Sequence, residues 1–259
     1  MSYGTGSLIR NQLSELDQLR LFERKYDPTT VEVIEALAPR ADWRCLELGA
    51  GAGSIARWLA ARASRGSVVA VDLDTRHLTA TGNLAVRKAD VMTEEFAPGS
   101  FDLIHARALL EHLPERDLLL DRMIGWLVPG GVLVVEDFYY LPPADSPNEV
   151  SRALVEGYVR RLEEQSANMR WARRMPATLA RRGLVGVGAK VVPAGPGQTA
   201  ADDELIGLRM RQEGHALVER GLVGAGELDS FVGSLGHPES WDVTTLSISA
   251  WGRRPGGAA

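Results

Sequence analysis

The chain contains one cysteine, Cys45, in 259 residues. That excludes an internal disulfide framework and any thiolate zinc site of the usual four-ligand kind. Lysine is almost as scarce: among 29 Lys and Arg residues only Lys25, Lys88 and Lys190 are lysines. The arginine bias, with abundant Ala and Gly, fits a high-GC bacterial coding sequence. Basic residues are nowhere dense enough to track phosphates, and 34 acidic residues leave a formal net charge of −5, which argues against nucleic acid as a partner. No run approaches the ~18 apolar residues of a membrane span. The opening MSYGTGSLIRNQLSEL also lacks the apolar centre of a secretory signal. The expectation is a soluble, reduced, cytoplasmic protein with no membrane partner. With 45% hydrophobic and 24% charged residues, the length suits a single domain with a full core.

Between residues 41 and 137 short apolar runs alternate with helical patterns, as in a parallel sheet covered on both faces. Strands are expected at 43–48, 67–71, 86–88, 101–104 and 132–135. A helix with Ser54 as cap should follow the first strand, and a second should start at Asp74 as N-cap. Pro114 should open a third, ending at Pro129-Gly130-Gly131. Beyond residue 140 helices are expected at 150–162, 170–182, 201–220 and 226–235, with strands at 185–192 and 243–251. The predicted class is α/β: a Rossmann-like, seven-stranded sheet, mostly parallel with an antiparallel last strand and helical cap insertions. One domain, 1–259, divides into an N-terminal helical arm (1–40, its helix at 8–26), a core (41–140), caps at 141–169 and 194–240, and a final strand (241–252). From Arg253 the chain reads as a frayed tail.

Ligands of such sheets bind at the carboxyl ends of the strands. The strongest signal lies there, in Glu47-Leu-Gly49-Ala-Gly51-Ala-Gly53. Glycines let the backbone turn sharply and let a ligand approach where a Cβ would collide. A dinucleotide fingerprint needs its third glycine one residue later, where Ser54 stands, and does not include Glu47. Asp72, ending strand two, can accept two hydrogen bonds from ribose hydroxyls. Asp90, ending strand three, can accept from an adenine amine.

This series resembles the class I S-adenosylmethionine (SAM)-dependent methyltransferases. The resemblance covers about 43–137 and rests on ELGAGAGSIARWLA (47–60), VVAVDLD (68–74), KADV (88–91), FDLIHARALLEHLP (101–114) and LVPGGVLVVED (127–137). More weakly, SELDQLRL (14–21) and AWGRRP (250–255) resemble small-molecule methyltransferases of actinobacterial, natural-product type. The resemblance implies SAM as cofactor and S-adenosylhomocysteine (SAH) as product. It further implies that Glu47, Gly49 and Gly51 line the methionine side, that Asp72 holds the ribose and that Leu73 belongs to the cofactor site. Asp90 and Val91 would frame the adenine, and His105 would stand beside the cofactor. SAM carries a sulfonium and no phosphate, so an acidic loop and the absence of a basic clamp both suit it.

Methyl transfer needs a general base only if the acceptor must lose a proton. His112 and His215 are the candidate bases, each with a structural reading beside the catalytic one, while His77 and His237 are read as structural. Tyr139, Tyr140, Met169 and Trp171 are candidate acceptor contacts, and Arg107 with Glu111 reads as an i,i+4 helix pair. No metal site is expected. The leading function is methylation of a small, largely apolar metabolite, at oxygen, in secondary-metabolite tailoring. Carbon or nitrogen acceptors, a cyclisation or rearrangement on the same scaffold, a SAM-binding partner without turnover and an NAD(P) oxidoreductase are the alternatives. Homo-oligomerisation is left open.

Overall fold

The structure is a computed structural model and describes residues 15–256. Internal contacts divide it into two units. A sheet unit comprises 27–139, 162–192 and the chain from 247 onward, and a helical unit comprises the described part of 1–26 with 140–161 and 193–246.

In the sheet, β1 (Arg44–Leu48), β2 (Ser67–Asp72), β3 (Leu84–Lys88), β4 (Phe101–Arg107) and β5 (Leu127–Tyr140) are parallel. With β6 (Val185–Ala194) and β7 (Thr245–Arg253) the order is β3-β2-β1-β4-β5-β7-β6, and β7 runs antiparallel to both neighbours. The predicted fold class is therefore the observed one. The order reverses between β1 and β4, the switch point where open α/β sheets take their ligands. Most residues of β1 and β4 are buried, the polar Glu47 and His105 among them. Val33 and Ile34 of α1 (Glu15–Ala36) and Ile55, Ala56 and Leu59 of α2 (Ser54–Arg62) pack on Cys45, Val68, Ala70 and Leu103. The helix α3 (Arg116–Trp126) buries Leu119, Leu120, Met123 and Trp126.

The helical unit contains α4 (Glu149–Glu164), α6 (Ala200–Glu219) and α7 (Ala225–Ser234), with α5 (Met175–Arg181) lying in the sheet unit between α4 and α6 in sequence. Thr199 caps α6 by accepting from the Asp202 amide, and Asp202 and Asp203 complement the helix dipole. Gly157 of α4 and Gly214 of α6 mark close helix approaches. A Cβ there would stand 2.5 Å from Leu217 and 2.6 Å from Leu228 respectively.

Several boundaries depart from expectation. No helix starts at Asp74. Asp72 instead accepts from the Asp74 amide at 2.9 Å and Asp74 from the Arg76 amide at 3.1 Å, so both carboxylates close local turns. Thr75, Thr79, Thr81 and Gly82 favour a helix weakly, and Thr81 bridges Leu84 instead. His77 is accordingly not on a helix. The strand β5 continues through Pro129-Gly130-Gly131, with an irregularity that pairs Phe101 with Leu127 but Leu103 with Val132. The segment expected as a helix over 170–182 is a 3₁₀ turn at Ala172–Arg174 followed by α5. Arg253 closes β7 and is not a frayed tail: its guanidinium donates to the Leu37 carbonyl, and that of Arg254 to the carbonyls of Ile124, Gly125 and Leu127. The expected N-terminal helix is seen from Glu15 and runs on to Ala36; residues 8–14 lie outside the described residues.

Candidate functional site

The turn after β1 is built from backbone. Gly49, Gly51 and Gly53 take φ of 69°, 56° and 84°, a region that costs glycine nothing. The amides of Gly49 and Ala50 donate to the Val71 carbonyl at 2.9 and 3.2 Å, which ties the turn to the end of β2. A Cβ on Gly49 would come within 3.3 Å of Leu109. Asp72 fixes the turn from the other side, accepting from the Gly51 amide at 2.8 Å. Burial raises its carboxyl pKa, and the amides of Asp74 and Gly51 oppose the shift. Beside it the apolar side chain of Leu73 is 51% exposed. At the end of β3, Asp90 accepts from the Met92 amide at 2.8 Å, closing a turn over buried Val91. Gly49, Gly51, Asp72, Leu73, Asp90 and Val91 thus lie at the carboxyl ends of three adjacent parallel strands. A bare turn, two carboxylates and an exposed apolar side chain fit a phosphate-free nucleoside.

His105 lies deeper. It has no exposed surface, and its Nδ1 is 2.7 Å from Glu47 Oε2 while its Nε2 is 3.1 Å from Glu136 Oε2. Burial alone would lower its pKa, but the Glu47 and Glu136 carboxylates outweigh it and raise the imidazole to about 9. The ring is therefore an imidazolium shared by two glutamates. Glu136 also accepts from Thr30 and Ser249, and Arg107 donates to Thr30 and to Asp27, each at 2.7 Å. With both ring nitrogens engaged, His105 can act on a ligand only through Glu47. Glu47 is itself buried, with its pKa raised by burial against the pull of His105.

The segment leaving β4 is anchored by two buried acids, Asp137, which the sequence reading gave no role, and Glu111, which it paired with Arg107. Ala108 adopts a φ of 51°, uncommon for a residue with a Cβ, and its amide donates to the Glu136 carbonyl. Asp137 accepts from the amides of Leu109 and Glu111 and from the Trp171 indole, at 3.1, 3.2 and 3.0 Å. Burial and the neighbouring Glu111 hold its pKa well above the ordinary value. Glu111 is not paired with Arg107 on a helix, because β4 continues through Arg107. Its Oε2 accepts from the Phe138 amide at 2.8 Å and its Oε1 lies 3.3 Å from His112 Nε2. The His112 side chain is 35% exposed, so a buried carboxylate stands behind a reachable imidazole. Two consecutive acids, Glu136-Asp137, closing an apolar strand were the available signal for this anchoring.

The remaining candidates are dispersed. His215 belongs to the helical unit and is 82% exposed, 3.6 Å from Glu219 one turn on. Met169 and Trp171 are buried in the sheet unit, with the Trp171 indole N–H committed to Asp137. Tyr139 carries the Arg173 guanidinium at 5.9 Å from its ring centroid, whereas Tyr140 lies in the helical unit with its ring 5.6 Å from that of Tyr158. Cys45 is buried in β1 with its thiol pushed up to about 12, which leaves it chemically inert.

A doubly wound sheet with this strand order, a glycine turn after β1 and acids closing β2 and β3 is the architecture of a class I SAM-dependent methyltransferase. Residues 46–135 match the family model described as a methyltransferase domain. The methyltransferase str3 of Strobilurus tenacellus is 37% identical over 102 residues, 38% of this chain and 36% of that protein. Methyltransferase GfsG of Streptomyces halstedii is 28% identical over 191 residues, 68% of this chain and 67% of its own. Among solved structures, phosphoethanolamine N-methyltransferase 2 of Haemonchus contortus, bound to phosphomonomethylethanolamine and SAH, superposes with a TM-score of 0.63 at 18% identity, covering 98% of this chain and 61% of that one. The first of these relatives is spanned over only about a third of its length. Residues 46–135 therefore carry a methyltransferase domain, and the Haemonchus contortus structures of the same fold hold SAM or SAH. No helix among the described residues is long and apolar enough to cross a membrane.

Proposed function

We propose that the protein transfers a methyl group from SAM to an oxygen of a small, largely apolar metabolite in secondary-metabolite tailoring, with His112 as general base. The observation that carries this reading is the His112–Glu111 pair at 3.3 Å: a half-exposed imidazole with a buried carboxylate behind it. A hydroxyl acceptor must lose a proton near the transition state, and a base–carboxylate pair suits that need. Glu111 positions the ring, and its own second oxygen is fixed by the Phe138 amide.

SAM, when bound, supplies a methyl group already activated on a sulfonium. The chain's residues then have to orient both reactants and exclude water. In this reading Gly49 and Gly51 accommodate the methionine portion, Asp72 accepts from the ribose hydroxyls, Leu73 and Val91 flank the purine and Asp90 accepts from its amine. Glu47, locked by His105, keeps an acidic wall near the cationic end of the cofactor. Met169 and Trp171 support the site from the core.

Asp72→Ala should weaken SAM binding by about 1–3 kcal/mol through the lost ribose bonds. Calorimetric titration checks this, and an unchanged affinity would remove Asp72 from the site. The reaction class is checked by product mass. Methyl transfer adds one CH2 equivalent to the acceptor, whereas a product of unchanged mass would replace methylation by a cyclisation or rearrangement.

A further inference from the structure

The helical unit contains a cation with no anion. The guanidinium carbon of Arg209, on α6, lies 4.8 Å from the ring centroid of Tyr158 on α4. Its Nη1 reaches the Tyr140 hydroxyl only at 3.5 Å. Arginine offers five N–H donors in a planar fork, and here the fork is partly exposed and makes one long bond to a protein acceptor, Tyr140. No carboxylate pairs with Arg209 among the described residues. The contrast with Lys25 in the same unit is direct: Lys25 is almost fully buried and sits 2.5 Å from Asp202 and 3.1 Å from the Thr199 hydroxyl. Arg161 places a second guanidinium 5.5 Å from the centroid of the same Tyr158 ring.

A separate donor points the same way. Gln212 follows Arg209 by three residues on α6, which places both on one helix face. Its Nε2 is buried and has no hydrogen-bond partner. A buried donor left unmade is costly, and a cation without a counter-charge in a tyrosine-lined environment is more so. Both are satisfied at once by an anion with two or three acceptor oxygens, which the guanidinium fork matches in shape.

We propose that Arg209 and Gln212, with the Tyr140 hydroxyl, form a receptor within the helical unit for a small anionic group, a carboxylate or a phosphate. The receptor stands on this geometry alone and is independent of the methyl-transfer reading.

The test is calorimetric titration of the full chain, with and without saturating SAH, by inorganic phosphate, phenyl phosphate, benzoate and, as neutral control, benzyl alcohol. At least one anion should bind saturably and benzyl alcohol much more weakly; binding of the phosphates alone assigns phosphate, and of benzoate alone a carboxylate. Arg209→Gln should weaken the bound anion about tenfold or more while SAH affinity stays within about twofold. Arg209→Lys should recover part of the loss, since it restores charge without the fork. Tyr140→Phe, which deletes only a hydroxyl, gives the same direction of change if Arg209→Gln fails to fold. The proposal is overturned if no anion binds, if benzyl alcohol binds as tightly as the anions, or if the folded variants bind anions like the parent chain. Anion binding without SAH binding would leave the receptor standing and remove the methyl-transfer reading.

Discussion

Replacing His105 by Leu should destabilise the fold by about 3–5 kcal/mol, the cost of removing one member of a buried charge network. Leucine fills similar space and packs well, so the loss is electrostatic. It leaves Glu47 and Glu136, both buried, facing each other with no charge between them. Denaturant melts with unchanged m-value would read this as a lower midpoint, and a loss under about 1 kcal/mol would show that the imidazolium is not what holds the two acids. The double variant His105→Leu with Glu47→Gln should recover part of the loss, since it removes one of the stranded charges. The same network predicts a pH dependence. The folded-state pKa of His105 is raised to about 9 from 6.5, so its contribution is complete below about pH 6.5 and fades as pH rises towards 9. The amount is on the order of 3 kcal/mol, and this slope should vanish in His105→Leu.

His112→Ala should lower turnover by about 10²–10⁴-fold and leave SAM affinity nearly intact, as expected for loss of a general base that does not touch the cofactor. Glu111→Gln should lower turnover less, because the amide still accepts from the Phe138 amide but no longer supports a positive charge on His112. Single-turnover kinetics with an acceptor found by product mass would measure both. Equal turnover in His112→Ala would show that no base acts there, and with it the oxygen assignment would lose its support.

The turn after β1 was legible because its geometry is local. Glycine is needed where φ is positive, and Asp72 and Asp90 stand at the carboxyl ends of parallel strands β2 and β3. The buried network was legible only in part. Glu47 and His105 stand far apart in sequence and meet because β1 and β4 place them opposite one another in register. Glu136 enters from the next strand over, beside Arg107. The family resemblance implied a place for His105 beside the cofactor, while its actual partners depend on strand order. Arg107 and Glu111 looked like a helical pair because i,i+4 spacing presumes a helix; the strand runs on through Arg107, and Glu111 turns inward to Phe138 and His112. The missing helix after β2 has a similar cause. Asp74 is a good cap, but Asp and Thr side chains equally close turns, and no apolar stripe followed to favour the helix. The chain from Arg253 read as a frayed tail, whereas Arg254 donates to three carbonyls that end α3 and begin β5.

The central claim is that the turn after β1, with Asp72 and Asp90, binds a sulfur nucleoside. Calorimetric titration of the purified protein with SAM and SAH, with NADH as control, tests it most directly. Saturable binding of both SAM and SAH without NADH binding is the predicted result; binding of NADH alone, or of neither sulfur nucleoside, would contradict it.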